Sequence, residues 1–229
     1  MGPYPENHAH NPDEAKIAEL AGAYADALIS GDEIAAEIAI REAMDADLGT
    51  AEIDEKVIAP ALWLIGELWE RGQLSIAEEH IATEITVRVL ALQREAQRVA
   101  GARGRHRVML ATVPGELHVV ALRMVENLAR GAGYDVVMLG PDVPAPMLAA
   151  AARHHQADVL CLSSTMPGRR DDVLSVIDEV RELWPEAAFV LGGRGITVED
   201  QMRPEVQLCH GVSDARDAID ALIKHAGLN

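Results

Sequence analysis

Aromatic residues make up only 3% of the sequence: one Phe, three Tyr and three Trp among 229 residues. A core must therefore be built from Ala, Leu, Val and Ile, and each Trp calls for a reason. Cysteine is almost absent as well. Cys161 and Cys209 lie far apart and form no C-x-x-C pair, which excludes a disulfide framework or a thiolate zinc site and fits a reducing cytoplasm. Basic residues are outnumbered, 20 Lys and Arg against 37 Asp and Glu, for a formal net charge of −17. That balance argues against nucleic acid or an anionic membrane surface as a direct partner. The nearest basic block, Arg103, Arg105, His106 and Arg107, is too short for a nucleic-acid arm. No apolar run reaches membrane-spanning length, and the opening MGPYPENHAHNPDE has no apolar signal core. A soluble, cytosolic protein is expected.

What is present is apolar sequence, 49% of the chain, enough for one large domain or two small ones. The first hundred residues read as helices. Residues 13–30 align Ile17, Leu20, Ala21, Tyr24, Ala27 and Leu28 on one stripe that ends at Gly31. A second helix over 32–47 would turn Ile34, Ile38 and Met44 inward. A third runs from Thr50, as N-cap, to about Glu70, with Pro60 a candidate kink. A fourth, over 75–100, opens on Ser75 with Glu78 three residues on, the spacing of a capping box. Four amphipathic helices on short loops predict an antiparallel four-helix bundle over residues 1–102.

After the linker GARGRH (101–106) the period changes. Short apolar runs at 107–113, 134–140, 157–164, 187–193 and 206–209 alternate with helical stretches at 118–131, 145–155, 170–183 and 213–226. Continuous apolar strands between helices predict a Rossmann-like, doubly wound parallel sheet over 103–229. Ligands of such sheets sit beyond the carboxyl ends of the strands. There the sequence places PGELH after the first strand, SSTMPG after the third and GGRG after the fourth.

Glu116, His118 and Ala121 form E-x-H-x-x-A; 41 residues intervene before Ser163-Ser164-Thr165, and 26 more before Gly192-Gly193. This register resembles the cobalamin-binding signature D-x-H-x-x-G, S-x-L, GG at every interval. The resemblance implies that His118 replaces the cofactor's own base as lower cobalt ligand, with Glu116 accepting its other ring N–H. It further implies that the displaced nucleotide tail enters the sheet, where Ser163 can hydrogen-bond it and Gly192 and Gly193 leave it room. Three positions depart from the pattern: Glu116 for Asp, Ala121 for Gly and Thr165 for Leu. A first loop without G-x-G-x-x-G or a Walker lysine disfavours a different nucleotide.

In the helical half, Trp69 precedes Glu79-His80 in a W-x9-EH pattern, with a short turn around Gly72 that brings both to one pole of the bundle. This is similar to the light-dependent cobalamin photoreceptors of the CarH type. That likeness implies an adenosylcobalamin sensor in which Trp69 packs over the upper ligand and Glu79 and His80 line the adenosyl pocket. Loss of the ligand in light would then repack bundle against sheet domain. Some such photoreceptors place a cobalt-capping His after the Trp; Glu70 stands here, leaving His80 or water for that role. Trp63 is expected in the core, and His8 and His10 in solvent. CarH-type repressors carry a helix-turn-helix before the bundle, whereas four helices already occupy 13–100 here. The chain is therefore expected to bind no DNA itself, to act without catalysis, and to signal to a partner protein or to an output domain fused beyond Asn229. Assembly in the dark, as a dimer or larger, follows from the resemblance alone. The rival reading is the corrinoid methyl carrier of a methyltransferase system, which shares the two-domain plan. Mutase small subunits lack the helical cap and are disfavoured.

Overall fold

Apolar residues at helical spacing produce α1 (Glu14–Ser30), which buries Ile17, Leu20, Tyr24, Ala27 and Leu28 and stops at Gly31, where φ is +67°. The computed structural model describes residues 14–97, 106–196 and 203–225; His8 and His10 lie outside them. Asp32 caps α2 (Glu33–Asp45), its carboxylate accepting from Ala35 N at 2.9 Å. The buried face of α2 is Ala36, Ala39, Ile40 and Ala43, not the expected Ile34, Ile38 and Met44, which are exposed. Both stripes have helical spacing. Small residues let α2 lie close to its neighbour, and the branched ones are left outside.

The predicted third helix is continuous but not uniform. It comprises α3 (Thr50–Ile53), a π-helical turn over Asp54–Ile58, and α4 (Ala59–Glu70). Gly49, not Thr50, takes the N-cap position. Pro60 has no N–H to give to the preceding turn. The widened turn just before it, with Ala59 N–H reaching back to Asp54 O, accommodates that loss. Ala61 and Ile65 are the buried residues of α4. Trp63, two residues from Ala61 on the opposite side, is 54% exposed, so its expected place in the core is corrected.

The capping box forms in full at α5 (Ile76–Gln97): Glu78 N donates to Ser75 Oγ at 3.3 Å, and Ser75 N to Glu78 Oε2 at 2.6 Å. The Ser75 backbone N–H and then its side chain hold the Glu78 carboxyl below its usual range. Ser75→Ala should cost ~1 kcal/mol, read as a Tm lower by about 2–4 °C in a circular-dichroism melt.

Contacts divide the chain into two compact units, Met1–Ile85 and Thr86–Asn229, so the border falls within α5 and not in the 101–106 segment. Polar contacts explain why the second half of α5 goes with the sheet unit. Asn127 Nδ2 donates to Leu90 O at 2.9 Å, and Arg94 and Arg130 share Glu126 Oε1 at 3.3 and 3.0 Å.

In the second unit β1 (Arg107–Thr112), α6 (Val120–Gly131), β2 (Asp135–Gly140), α7 (Ala145–His155), β3 (Val159–Ser163), α8 (Arg170–Leu183), β4 (Phe189–Gly192), β5 (Val206–Cys209) and α9 (Asp214–His225) alternate as expected. The strands are all parallel, in the order β2-β1-β3-β4-β5. Strand residues alternate between two cores. Met109, Leu160, Leu162, Phe189 and Leu191 pack with α7 and α8. Val108, Leu110, Val159, Cys161 and Val190 pack with α6 and α9. Two buried faces account for strands that are apolar throughout. No helix among the described residues is long and apolar enough to cross a membrane.

Candidate functional site

The strand order reverses direction between β1 and β3, and a sheet of this order opens its ligand crevice beyond the carboxyl ends of those two strands. Thr112 pairs there with Ser163, Ser163 with Gly192, and Gly192 with Cys209. After β1 the chain turns at Gly115, where φ is +75°. Thr112 Oγ1 donates to Glu116 O at 2.5 Å and accepts from Asp142 N at 2.9 Å. Gly115 N donates to Asp142 Oδ1 at 2.7 Å, and an Arg169 guanidinium nitrogen to Pro114 O at 2.6 Å. The His loop is thus fixed from the segment after β2 and from the loop after β3.

Glu116 is fully buried. Its Oε1 accepts from His118 N at 3.0 Å and meets His118 Nδ1 at 2.5 Å. Its Oε2 accepts from Thr165 N at 2.7 Å and Met166 N at 3.1 Å. Burial pushes this carboxyl up, but the amides of His118, Thr165 and Met166 and the imidazole outweigh it, and it is held below its usual value. An ionised carboxylate only accepts, so Nδ1 carries the proton and Nε2 presents a lone pair. The His118 side chain is 59% exposed and can offer it to a ligand. The sign of the linkage is fixed by the direction of shift. Glu116 stabilises the fold above the ordinary carboxylate value of 4.5, and that contribution is lost as pH falls through its lower folded value. Urea unfolding at stepped pH should show the gap between wild type and Glu116→Gln closing below that range.

Thr165 acts through its backbone N–H, which any residue but proline supplies, so the departure from Leu changes nothing at this contact. Ala121 lies exposed in the first turn of α6. The hydroxyls of Ser163 and Ser164 are buried without a hydrogen-bond partner among the described residues. Gly193, at φ +105°, lies where a Cβ would come 2.4 Å from Ser164 O. Gly195, not singled out from the sequence, is held as tightly: a Cβ would stand 2.4 Å from Met166 O, and its N donates to Ser164 O at 2.9 Å. The GGRG spelling was the available signal for Gly195. For Asp142 and Arg169, whose partners are backbone atoms of another loop, the sequence carries none.

In the helical unit Trp69, in the last turn of α4, is 46% exposed. Glu79 Oε2 lies 2.5 Å from His80 Nδ1, and Glu79 Oε1 accepts from Thr83 Oγ1 at 3.1 Å. This carboxylate–imidazole pair repeats the atom pairing of Glu116 and His118, and the His80 side chain is 70% exposed. Among the described residues no three His, Cys, Asp or Glu group to hold a bare metal ion.

The described residues therefore place one exposed imidazole, oriented by a buried carboxylate, beside the switch point of a parallel sheet. Residues 106–223 match the family model of the B12 binding domain, and residues 20–92 match a second model of that description. The chain belongs to this family and is a cobalamin-binding corrinoid protein. It is 30% identical to dimethylamine corrinoid protein 1 of Methanosarcina acetivorans over 80% of this chain and 85% of that one. It is 31% identical to the HTH-type transcriptional repressor CarH of Myxococcus xanthus, over 61% of this chain and 46% of the repressor. Its fold is like that of the Methanosarcina barkeri monomethylamine corrinoid protein, with TM-score 0.67 at 18% identity, covering 90% of this chain and 98% of that structure. The residues fit the cofactor: an exposed His118 imidazole, two buried hydroxyls without a partner among the described residues, and Gly192, whose lack of a side chain leaves the strand end beside Ser163 bare.

Proposed function

We propose that this chain is the corrinoid carrier of a methyl-transfer system, holding cobalamin through His118 and presenting it to a methyltransferase partner. The Glu116–His118 pair carries the cofactor half of this reading: the buried carboxylate sets the tautomer and strengthens Nε2 as donor. Ser163 and Ser164 would receive polar groups of the nucleotide tail, and Gly192 and Gly193 would leave it space. Bound there, cobalamin supplies a cobalt able to accept and release a methyl group. Similarity to a dimethylamine corrinoid protein across both units favours the carrier over light sensing, which the sequence alone had put first.

The pole formed by Trp69, Glu79 and His80 supports a second reading, an adenosylcobalamin light sensor with the chain self-associating in the dark. An exposed indole and an exposed, carboxylate-oriented imidazole both suit contact with a bulky upper ligand, and the likeness to CarH points the same way. Reconstitution with methylcobalamin and with adenosylcobalamin, in the dark and under green light, separates the two. A carrier retains methylcobalamin, passes its methyl group to an added acceptor methyltransferase, and elutes unchanged after illumination. A sensor prefers adenosylcobalamin and changes elution in light. In that case Trp69→Ala should spare binding and alter the photoresponse; an unaltered response would remove Trp69 from the site.

A further inference from the structure

The stripe of α2 that the sequence pointed inward lies outside, and the chemistry of the cofactor site does not use it. Ile34 is 72% exposed, and Ile38, one turn on and on the same helix face, is 50% exposed. Ile81 of α5, also exposed, adjoins the start of that helix: a Cβ on Gly31, in the turn leading into α2, would stand 3.5 Å from Ile81 Cγ2. A single exposed isoleucine is ordinary. Several together, on a helix that turns its small Ala36, Ala39 and Ala43 inside instead, mark a surface to be covered.

Charge decides what covers it. Residues 14–85 carry 17 Asp and Glu against four Lys and Arg, whereas residues 86–229 carry 18 against 16. Most of the chain's negative charge therefore belongs to the helical unit. Each of its four cations already lies beside a carboxylate of the same unit: Lys16 at 3.1 Å from Glu19, Arg41 at 3.9 Å from Glu37, Lys56 at 2.8 Å from Glu52 and Arg71 at 3.2 Å from Glu67. Glu33, Glu37, Glu42 and Asp45 are on α2 itself, among and beyond the isoleucines. A second copy docked by this face would bring acid to acid, and the same repulsion keeps off nucleic acid and anionic lipid.

We infer that the exposed face of α2, with Ile34 and Ile38 as anchors and Ile81 beside them, docks a protein partner whose apolar groove is rimmed by Lys and Arg. Apolar anchors one turn apart are what a helix offers to such a groove. The acidic surround would draw in a basic partner and fix its orientation. Neither His118 nor the cofactor enters, so the surface goes beyond the carrier reading and stands whether the chain passes on methyl groups or responds to light.

The probe is a fluorescein-labelled amphipathic helix of Lys and Leu, added to the full-length apoprotein and followed by anisotropy. Two control peptides each keep half of its chemistry: Lys with Ser has the charge without the apolar face, and Glu with Leu has the apolar face with the opposite charge. The Lys–Leu peptide should bind at least about tenfold more tightly than either control, and less tightly as salt rises. Ile34→Ser combined with Ile38→Ser should weaken it about tenfold without moving the melting temperature, because both side chains are exposed. Binding of the Lys–Ser peptide should not change. Hydrogen exchange on wild type is a second measurement that needs no variant: the Lys–Leu peptide, and neither control, should slow exchange of the α2 amides. Equal affinity for the Lys–Leu and Lys–Ser peptides, an unaffected double variant, or protection confined to other elements overturns the inference. Tight binding of the Glu–Leu peptide would remove the basic rim. A wild-type dimer in sedimentation that the double substitution dissolves would seat a second copy on the face. Either overturns it as well. With no cobalamin present, none of these results bears on His118, and a failure of methyl transfer would leave the surface standing.

Discussion

Gly193→Ala should abolish retention of cobalamin and lower the melting temperature, the largest effect expected of any single methyl group in this protein. Two independent costs coincide. The residue sits at φ +105°, where a side chain is strained by roughly 1–3 kcal/mol. The added Cβ would also stand 2.4 Å from Ser164 O and 2.8 Å from Ser164 C, backbone atoms of the neighbouring loop that cannot rotate away. The two loops are joined further by Ser164 N donating to Gly192 O at 2.9 Å. Relief of the clash must therefore displace the stretch whose next two amides, Thr165 and Met166, hold Glu116. Gly192→Ala is the internal comparison. Its nearest contact would be 3.3 Å, and no positive φ adds strain, so it should fold nearly as wild type and lose affinity only through occupation of the space left for the nucleotide tail. Spectral titration with cobalamin and a thermal melt of each variant check the order. A Gly193→Ala protein that melts and binds as wild type would show that the two loops are not the rigid cradle described.

The parts of this molecule legible in the sequence are those whose signal is local or periodic. The apolar runs gave all five strands because a sheet covered on both faces leaves no polar alternation to confuse the pattern. Ser75 and Glu78 gave a cap because the motif is complete within four residues. His118 and Glu116 were found by spacing along the chain. What failed was choice between equivalent patterns. In α2 two stripes share the helical period, and only packing decides that Ala36, Ala39, Ile40 and Ala43 go inside. Trp63 does not share the helix face of Trp69 and for that reason was expected inside, but its position on α4 puts it outside. The division within α5 was hidden because a helix looks the same on either side of Ile85. Only the partners of Leu90 and Arg94 reveal that its second half goes with the sheet. In the site, Asp142 and Arg169 act on backbone atoms, Gly115 N and Pro114 O, and no side-chain pattern announces such a bond.

His118→Ala should remove the protein ligand from cobalt, and Glu116 variants should show how far that ligand depends on its support. Without the imidazole, bound cobalamin should lose the spectrum of histidine coordination and wash out on gel filtration, while the fold stays intact because the side chain is 59% exposed. Glu116→Gln should be intermediate. Glutamine keeps the shape but brings an NH2 group that competes with the amides now pointing at both carboxylate oxygens. Loss of the outer partner of a ligating histidine costs ~10–100-fold in affinity. Glu116→Asp asks a sharper question. The glutamate spans two loops, His118 on Oε1 and the Thr165 and Met166 amides on Oε2, so a side chain one methylene shorter cannot keep both sets from the same backbone. If aspartate binds cobalamin as tightly as glutamate, the loops must move together to meet it, and the cradle is adaptable there. If it binds less well, yet better than Glu116→Ala, the extra methylene is part of this chain's own way of anchoring the histidine. A His118→Ala protein retaining the wild-type cobalamin spectrum would end the assignment of His118 as ligand, with His80, an exposed imidazole also held by a carboxylate, the next to substitute.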